Sequence, residues 1–559
     1  MESYLHTPMN QQLIYESIPE RLRKFAIKFS KKEAFVFYSN DGQRSSLTFD
    51  QLYNQSVKFA KGLVSIGLKP GDIVGLALHN NPDWVVCHFG ILFAGCVSMG
   101  LNFSRKNGED VKHSIEKSGR CKVLIFEATE SLNHLKIVKN WVKSTDEHGV
   151  VLKGSSPIEG LQYVITTAGH RDFPFTVDHV MNVVSDDVTL PIVDRDDICL
   201  IFQTSGTTGH KKLVMWTHSG LFQSTQSAYE VYGMQEDDVY FSPSFFTWAG
   251  GYIHGFLVTG CTYVTVENFM ALGPVQNISK TFLDILKKEK CTYACIVASF
   301  IYCIMELQSG GKSCDLLRGL ITSGHPVQHT IGKSIGLITK KLFIGYGATE
   351  VMFMAIETGT ASSDLIDYSC GIPLPGIEAK VVNKDGIIVS RGQPGHIYIR
   401  SRVRFQGYLR DPEKTAQIVS ASGWYNTNDI GSITSNGCLI VIGRETELIS
   451  SVVGRWFSPY SIENLLMQHQ EVRDAAVIPV PDDNVYQRAC ACIIRHDGSV
   501  ASWNEISSVL RESSSAKVET LEMDVVIPDY HVFVDSFPRT VSGKIRKQEL
   551  YEQIKHLLK

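Results

Sequence analysis

The 559-residue chain lacks the features that mark several classes of protein. It has 54 lysines and arginines against 58 aspartates and glutamates, a net charge of −4, so nothing in its composition favours nucleic-acid binding. Its 13 cysteines form no CxxC pair and no disulfide-like spacing. This distribution favours free, buried thiols in a reducing compartment.

The chain also lacks the common targeting signals. A transit peptide is rich in arginine and poor in acidic residues, but the first twenty residues here contain Glu2, Glu16 and Glu20. We also expect no signal peptide at the start of the sequence. The closing His-Leu-Leu-Lys is not a peroxisomal signal. We therefore expect a cytoplasmic protein, with the mitochondrial matrix as the alternative.

A long hydrophobic run is nearly absent as well. The one candidate, Trp84 to Leu101, is short for a membrane span and contains three glycines and two cysteines. We predict a buried helix that leads into a buried strand, with a spanning helix as the lesser alternative. No transmembrane segment is therefore expected.

Short apolar runs alternate with helical patterns in the first part of the chain. Residues 34–38, 73–78 and 123–126 favour strands, and residues 48–66 favour a helix. This alternation predicts a layered βα lobe with a parallel sheet. Residues 128–195 are irregular and polar, which indicates surface excursions.

A second alternation begins at the apolar run 198–202. Two of its predicted strands, 319–324 and 342–347, run into glycine-rich turns, which favours a ligand crevice at the strand ends. From residue 371 short strands and frequent turns favour a small antiparallel barrel or sandwich, and after Arg444 the pattern becomes α+β.

We therefore predict an α/β fold with two lobes. The large N-terminal lobe, residues 1–443, comprises two βα-layered subdomains (about 1–190 and 191–370) and a small β-barrel (371–443). A small, mobile α+β C-terminal domain follows at 444–559.

The richest motif follows the strand at 198–202. Glycines let a turn bring its backbone N–H groups close to an anion, hydroxyls add donors, and lysines add positive charge. A triphosphate suits such a loop better than the alternative, a plain polar hairpin. The predicted binding residues are Thr204, Ser205, Gly206, Thr207, Thr208, Gly209, His210, Lys211 and Lys212.

Two better-known phosphate motifs are excluded. The endings at Gly311-Lys312-Ser313 and Gly332-Lys333-Ser334 resemble a Walker A loop, but Glu306 and Val327 replace its first glycine. A dinucleotide fingerprint at 345–350 fails because Glu350 replaces its last glycine.

The loop at 204–212 resembles that of the adenylate-forming enzymes, which include acyl-CoA synthetases, insect luciferases and non-ribosomal adenylation domains. Their pattern is roughly Thr-Ser-Gly-Thr-Thr-Gly-x-Pro-Lys-Gly. This chain matches it from Thr204 to Gly209 and at Lys212, but has Lys211 and Leu213 in place of the proline and the final glycine. The resemblance covers nearly the whole chain and is greatest to the medium-chain fatty acid–CoA ligases.

The resemblance implies roles for residues outside the loop. Tyr346-Gly347-Ala348-Thr349-Glu350 matches a family block without departure, so Thr349 is expected to bond phosphate and Glu350 to bind Mg²⁺. The glycine turn at Gly324 is expected to line the nucleotide site. Taken alone, the block would be an ordinary turn with a solvated glutamate.

Two further positions match the family's ribose contacts. Asp429 follows Gly423-Trp424 as in the family block, although Thr427-Asn428 replace Ser-Gly, and Arg444 is the expected second contact at the hinge. Outside the resemblance, these would be a solvated turn aspartate and a linker arginine.

The C-terminal block at 538–545, Pro-Arg-Thr-Val-Ser-Gly-Lys-Ile, resembles the family's Pro-x-Thr-x-x-Gly-Lys-Ile. The resemblance makes Lys544 the mobile catalytic lysine, which would bind the substrate carboxylate and the α-phosphate together. The alternative is a surface lysine in a basic tail. Phe246 lies at the family's aromatic position and, with Trp248, could wall an acyl pocket. Simple core packing is an equal alternative for both.

The resemblance implies a two-step reaction with ATP, Mg²⁺ and coenzyme A. A hydrophobic carboxylic acid would form an acyl-adenylate and pyrophosphate, and the CoA thiol would then take the acyl group. The stretch 452–459 departs from the family pattern, so adenylation is better supported than thioester formation. The alternatives are adenylation with another acceptor and a binding protein without turnover, and no oligomeric state is predicted.

Overall fold

The computed structural model describes most of the chain. The described residues are 1–103, 108–128, 133–152, 154, 156–184, 187–204, 211–308, 316–324, 327, 335–360, 365–366, 368–450, 456–482, 486–513, 527–539 and 545–558.

These residues contain strands β1 (Tyr4–His6), β2 (Glu33–Tyr38), β3 (Arg44–Thr48), β4 (Ile73–Ala77), β5 (Val97–Gly100), β6 (Cys121–Phe126), β7 (Tyr163–Thr166), β8 (Ile198–Gln203), β9 (Leu213–Thr217), β10 (Val239–Phe241), β11 (Thr262–Val266), β12 (Tyr293–Cys295), β13 (Gly319–Ser323), β14 (Leu342–Ala348), β15 (Met352–Gly359), β16 (Ile372–Pro373), β17 (Ile377–Val382), β18 (Gly395–Ser401), β19 (Tyr425–Ile433), β20 (Leu439–Arg444), β21 (Ile449–Ser450), β22 (Trp456–Phe457), β23 (Val472–Asp482), β24 (Tyr486–Arg495) and β25 (Tyr530–Phe533).

The α-helices are α1 (Ile18–Lys28), α2 (Phe49–Ser65), α3 (Pro82–Phe93), α4 (Glu109–Ser118), α5 (His134–Lys139), α6 (Val177–Asn182), α7 (His218–Tyr232), α8 (His254–Thr259), α9 (Val275–Lys288), α10 (Ala298–Gln308), α11 (Pro412–Ile418), α12 (Pro459–Leu466), α13 (Trp503–Ile506), α14 (Ser508–Ser513) and α15 (Lys547–Ile554). Short 3₁₀ helices span Phe269–Leu272 and Lys555–Leu557.

The first sheet has six strands in the order β7-β6-β4-β5-β8-β9. All neighbours are parallel except β8 and β9, which are antiparallel and are joined by the predicted phosphate loop. β4 is buried along its whole length, as expected for a central strand covered on both faces. Because parallel strands end at one edge, the loops after β4, β5, β6 and β8 share an edge of the sheet.

The second sheet has nine strands in the order β16-β15-β14-β13-β12-β10-β11-β2-β3. Its central strands are parallel, and β14 turns back into antiparallel β15 immediately after the Tyr346–Glu350 block. β2 pairs in parallel with β11, Phe35 lying opposite Tyr263. The early hairpin β2–β3 therefore completes a sheet whose other strands come from residues 239–373.

This pairing corrects the predicted subdomain ranges of 1–190 and 191–370. Strands β8 and β9 belong to the first sheet although they follow residue 190, and β2 and β3 belong to the second although they precede it. The cause is long-range strand pairing, which a local hydrophobic pattern does not contain.

The description of 128–195 as irregular was also wrong in part. β7 lies within it and pairs with β6, and α5 and α6 are short helices. Thr176 caps α6 through a reciprocal bond with His179. At four to six residues each, these elements are too short to show a clear hydrophobic period.

The run from Trp84 to Leu101 is the predicted buried helix followed by a buried strand. Asn81 caps α3 by accepting from the Trp84 N–H, Pro82 occupies the first turn, and Trp84 to Phe93 are all buried. Among the residues that the structure describes, no helix is long and apolar enough to cross a bilayer.

A five-stranded antiparallel sheet, in the order β1-β17-β18-β19-β20, occupies the place of the predicted barrel. Its edge strand β1 comes from the start of the chain and pairs Tyr4 with Lys380. The C-terminal domain has its own sheet, β23-β24-β25, and its own apolar cores, centred on residues such as Val477 and Ile478. These features confirm the predicted α/β class with a separate α+β C-terminal domain.

Hydrogen bonds connect the two large sheets directly. The Asn80 side chain, just after β4, donates to the Ser244 carbonyl (2.9 Å) and to Thr265 Oγ1 (3.1 Å) of the second sheet. A second link is made by the Trp216 indole N–H, which donates to the Thr349 carbonyl (2.9 Å). Thr349 belongs to the predicted nucleotide-binding block, so this link reaches the candidate site.

Candidate active site

The ends of the predicted phosphate loop are held together by the β8–β9 pair. The Thr204 N–H donates to the Lys212 carbonyl at 3.1 Å. The Thr204 hydroxyl oxygen is buried and has no hydrogen-bond partner in the described part of the chain. A buried hydroxyl without a partner is costly, and a phosphate oxygen would supply one. The predicted ligands Ser205, Gly206, Thr207, Thr208, Gly209 and His210 lie outside the described residues.

The Lys211 ammonium is held by partners within the protein. It lies 2.9 Å from Asp110 Oδ2 and donates to Gln203 Oε1 at 2.9 Å. The Asp110 side chain is 3% exposed, so the carboxylate of the pair is buried. The prediction that Lys211 binds phosphate is not supported by this placement, because a buried carboxylate already holds its charge.

Lys212, the next residue, lies against Tyr408. Its ammonium is 5.0 Å from the centre of the Tyr408 ring and 3.4 Å from the Tyr408 hydroxyl. That hydroxyl donates to Glu350 Oε1 at 2.6 Å. Burial and then the Glu350 charge raise the pKa of Tyr408, so the hydroxyl stays protonated and remains a donor. Lys212 and Glu350, 138 positions apart in the chain, are thus joined through one tyrosine.

The Tyr346–Glu350 block forms the turn between β14 and β15. The register shifts between Tyr346 and Gly347, and a Cβ at Gly347 would lie 2.2 Å from the Met352 carbonyl oxygen, so only glycine fits there. The Trp216 indole fixes the Thr349 carbonyl, and the Phe405 N–H donates to the Glu350 carbonyl at 3.0 Å. The turn that carries the two predicted catalytic side chains is therefore fixed through its backbone.

Glu350 is the predicted Mg²⁺ ligand, and its surroundings fit that role. The residue is 7% exposed and is oriented by Tyr408. In the described ranges no group of three or more His, Cys, Asp or Glu is arranged to hold a metal. Magnesium is commonly held by one or two carboxylates together with substrate phosphates, and Glu350 can supply one such carboxylate.

Asp429 and Arg444 face each other across β19 and β20. Their Cα atoms are register partners, and Arg444 Nε lies 3.0 Å from Asp429 Oδ1. The Tyr346 hydroxyl donates to the other oxygen, Oδ2, at 2.5 Å, and burial followed by the Asp429 charge raises the pKa of Tyr346. A carboxylate offers about four acceptor positions, which is the chemistry that the predicted contact with the ribose hydroxyls requires of Asp429.

Thr427 and Asn428 replace the family's Ser-Gly and supply a hydroxyl and a left-handed backbone position. The Thr427 hydroxyl accepts from the Asp429 N–H at 3.1 Å and donates to the Ile397 carbonyl at 2.9 Å. Asn428 has φ of +58°, a left-handed conformation in which asparagine is the usual replacement for glycine. The family's Ser-Gly is thus replaced by residues that provide the same hydroxyl and the same backbone geometry.

The two residues predicted to line an acyl pocket, Phe246 and Trp248, have different surroundings. Phe246 is 1% exposed and packs on Trp84 (4.8 Å between ring centres) and Tyr263 (5.6 Å), which supports the core-packing alternative rather than a pocket wall. Trp248 is half-buried, with its ring against Gly250. Its role in an acyl pocket stays a prediction.

Gly324 follows β13 with φ of +82°, next to the strand that carries Tyr346. In the described part of the chain, no atom outside Gly324 and its neighbours in sequence lies within 4 Å of the position that a Cβ would take there. Lys544 and residues 452–455 of the divergent stretch 452–459 lie outside the described residues.

Sequence reasoning missed Tyr408, Trp216 and Thr427. No sequence pattern distinguishes Tyr408 as a functional residue, because a tyrosine that follows a glycine in a loop is common in proteins. Trp216 lies four residues after the phosphate loop, in a short apolar segment that predicts only core packing. Thr427 could have been found, since a hydroxyl two residues before a buried aspartate commonly bonds that residue's N–H.

Two family models match the chain. The AMP-binding enzyme model covers residues 22–409, and the model of the AMP-binding enzyme C-terminal domain covers residues 461–544. Together they span both predicted lobes and confirm the resemblance inferred from the motifs.

Relatives and solved structures agree with these matches. The chain is 26% identical to medium-chain acyl-CoA ligase ACSF2, mitochondrial, of Bos taurus, over 100% of this chain and 90% of that protein. It is 26% identical to 4-coumarate–CoA ligase 2 of Nicotiana tabacum, over 98% and 94%. The crystal structure of the anthranilate CoA ligase AuaEII in complex with anthranoyl-AMP superposes with a TM-score of 0.80 at 21% identity, covering 97% of this chain and 98% of that one.

Proposed function

Because this chain belongs to the AMP-binding enzyme family, we propose that it is an AMP-forming acid–thiol ligase that activates a carboxylic acid with ATP and transfers the acyl group to coenzyme A. One observation carries the proposal. Three remote segments, at 204–212, 346–350 and 429–444, meet through the Lys212–Tyr408–Glu350 and Tyr346–Asp429–Arg444 contacts. The first segment offers groups for the phosphates, the second offers groups for the α-phosphate and Mg²⁺, and the third offers groups for the ribose.

In the first step a carboxylate oxygen of the acid attacks the α-phosphorus of ATP. A new P–O bond forms, the bond to the β-phosphate breaks, and pyrophosphate leaves. Lys212 and the hydroxyls of the loop hold the phosphates, and Thr349 bonds the α-phosphate. Asp429 and Arg444 hold the ribose. Glu350 would hold Mg²⁺ together with the phosphates, and the ion would supply neutralisation of the phosphate charge.

Lys544 is proposed to act in that step as a point cation between the acid and the α-phosphate. In the second step the small lobe turns about the hinge at Arg444 and withdraws Lys544. The CoA sulfur then attacks the acyl carbon, the bond to AMP breaks, and AMP leaves, while the thiol proton passes to solvent.

The proposed acid is hydrophobic, and a medium-chain fatty acid is the first candidate. The Bos taurus relative is named for such acids, whereas the tobacco relative and the AuaEII structure are named for aromatic acids. A panel of fatty acids from about six to sixteen carbons and of aromatic acids, scored for pyrophosphate release, tests this directly. A clear preference for benzoate-like acids would replace the fatty-acid assignment.

The second candidate is adenylation with an acceptor other than coenzyme A. The divergent stretch that begins at Val452 favours it, because the resemblance places the thioester step on that surface. The same panel run with and without CoA separates the candidates. Acyl-CoA formation supports the ligase, and adenylate that accumulates unchanged in the presence of CoA supports another acceptor. A chain that binds Mg·ATP but releases no pyrophosphate is a binding protein.

The place of action is proposed to be the cytoplasm or the mitochondrial matrix. The ACSF2 relatives are named as mitochondrial proteins. Fractionation of cells that express the full chain, with protease protection of intact mitochondria, distinguishes the two compartments.

A further inference from the structure

We propose that Lys211 is a positioning residue, which fixes the phosphate loop through its buried ion pair with Asp110 instead of binding phosphate itself. This inference rests on the proposed nucleotide-binding role of the loop. It assigns a role to the position where the resembling family pattern has a proline.

The Lys211 ammonium has a dense set of partners. It lies 2.9 Å from Asp110 Oδ2, and it donates to Gln203 Oε1 at 2.9 Å and to the Asn102 carbonyl at 3.3 Å. The Lys211 side chain is 17% exposed and that of Asp110 is 3% exposed. A charge this buried is stable only while its partner stays in place, so the pair holds both side chains firmly.

These contacts close the base of the loop. Gln203 is the last residue of β8, and Lys211 is the first described residue after residues 205–210, so their bond joins the two ends of the loop. Joining the two ends of a chain segment restricts the conformations open to it, so less entropy is lost when the segment binds a ligand.

The same contacts attach the loop base to the first sheet and to α4. Gln203 Nε2 donates to Ser114 Oγ on α4 at 2.7 Å, and Asp110 lies in the first turn of that helix. Asn102 follows β5, the strand beside β8. The loop base is therefore tied to three elements of the scaffold. A proline would restrict the chain through its fixed φ, and here an ion pair supplies the restraint.

The test measures the affinity of the full-length protein for Mg·ATP by calorimetry without any acid, and pyrophosphate release with acid. The variants are Asp110→Asn, Lys211→Met, the double variant and Lys211→Arg. Each single loss is expected to raise the Kd for Mg·ATP about tenfold, with a larger effect on the KM for ATP than on that for the acid. The double variant should be no weaker than either single variant, and Lys211→Arg should stay within about threefold of wild type.

The matched control is Lys122→Met. Lys122 pairs with Asp72 at 2.8 Å near the amino ends of β4 and β6, whereas the Lys211 pair lies beside the carboxyl end of β8, so loss of Lys122 removes an ion pair elsewhere on the same sheet. An equal rise in Kd for this control would overturn the proposal by showing a general loss of stability. Lys211→Gln replaces Lys211→Met if thermal melting shows the latter to be unfolded.

Other outcomes separate this inference from its premise. If Asp110→Asn keeps or tightens ATP binding while Lys211→Met weakens it, Lys211 binds phosphate and the positioning role is wrong. If wild type binds Mg·ATP but activates no acid, the proposed ligase function fails while the affinities still decide the role of Lys211. A wild type that does not bind Mg·ATP overturns both.

Discussion

Tyr408 offers the sharpest test of the site, because one hydroxyl joins Lys212 to Glu350. Tyr408→Phe removes the donor that lies 2.6 Å from Glu350 Oε1 and keeps the aromatic ring under the Lys212 ammonium. The cation–π contact therefore survives, and any change in activity reports the hydroxyl.

The size of the effect follows from the burial of Glu350, which is 7% exposed. A hydrogen bond to a charged group contributes about 1.5–3 kcal/mol. We therefore expect the kcat/KM for adenylation to fall about 10- to 100-fold, and the free energy of unfolding to fall by about 1–3 kcal/mol. Because Glu350 is the proposed magnesium ligand, the Mg²⁺ concentration for half-maximal activity should rise as well.

The assay is pyrophosphate release at saturating ATP over a series of Mg²⁺ concentrations, with chemical denaturation for stability. Tyr293→Phe is the matched control, since the buried Tyr293 hydroxyl donates to the Tyr232 carbonyl at 2.8 Å and neither tyrosine is a predicted site residue. That variant should lose stability but keep its Mg²⁺ dependence. A Tyr408→Phe enzyme with kcat/KM and Mg²⁺ dependence within about twofold of wild type would refute the reasoning.

Three further predictions concern other parts of the chain. Lys544→Ala should abolish acid-dependent pyrophosphate exchange while Mg·ATP binding largely remains, and unchanged exchange would remove Lys544 from the mechanism. Asn428→Gly should leave the free energy of unfolding nearly unchanged, whereas Asn428→Ala should lower it by about 1 kcal/mol because φ is +58° there; equal effects would contradict the role of that conformation. Burial, and then the charge of Asp178, raise the pKa of Asp83 to about 6, so the folded chain keeps a proton that the unfolded chain has lost and stability falls as pH rises from about 4 to about 6. Asp83→Asn should therefore stabilise the protein by about 1–2 kcal/mol at pH 7.5 and hardly at all at pH 4, and thermal melts at both pH values check this.

Much of the fold could be predicted where local signals agree. The helix predicted at 48–66 is α2 at Phe49–Ser65, because Thr48 forms a capping box with Gln51 and the apolar residues recur at helical spacing. The strand predicted at 198–202 is β8 at Ile198–Gln203. In both segments the residues that determine the element lie within the element itself.

Prediction failed where distant partners decide. β2 is an unremarkable apolar run, and only its register with β11 assigns it to the second sheet. Lys211 has the charge of a phosphate ligand, but it pairs with the buried carboxylate of Asp110, about a hundred residues earlier. Phe246 was undecided between pocket and core until Trp84 and Tyr263 were seen to pack on it. These three outcomes depend on tertiary neighbours that the local sequence does not specify.

The departures from the resembling family pattern are of two kinds, and the distinction bears on function. At Lys211, Leu213 and Asn428 the altered residue is integrated into the fold: Lys211 pairs with Asp110, Leu213 is fully buried at the start of β9, and Asn428 adopts the left-handed conformation. Substitutions that accumulate at random after loss of activity are not expected to create a buried ion pair or to place a suitable residue at a positive φ. These three departures are therefore compatible with a working adenylation site. The departure that begins at Val452 concerns the surface proposed for the second step, so any loss of activity should appear in thioester formation and not in pyrophosphate release.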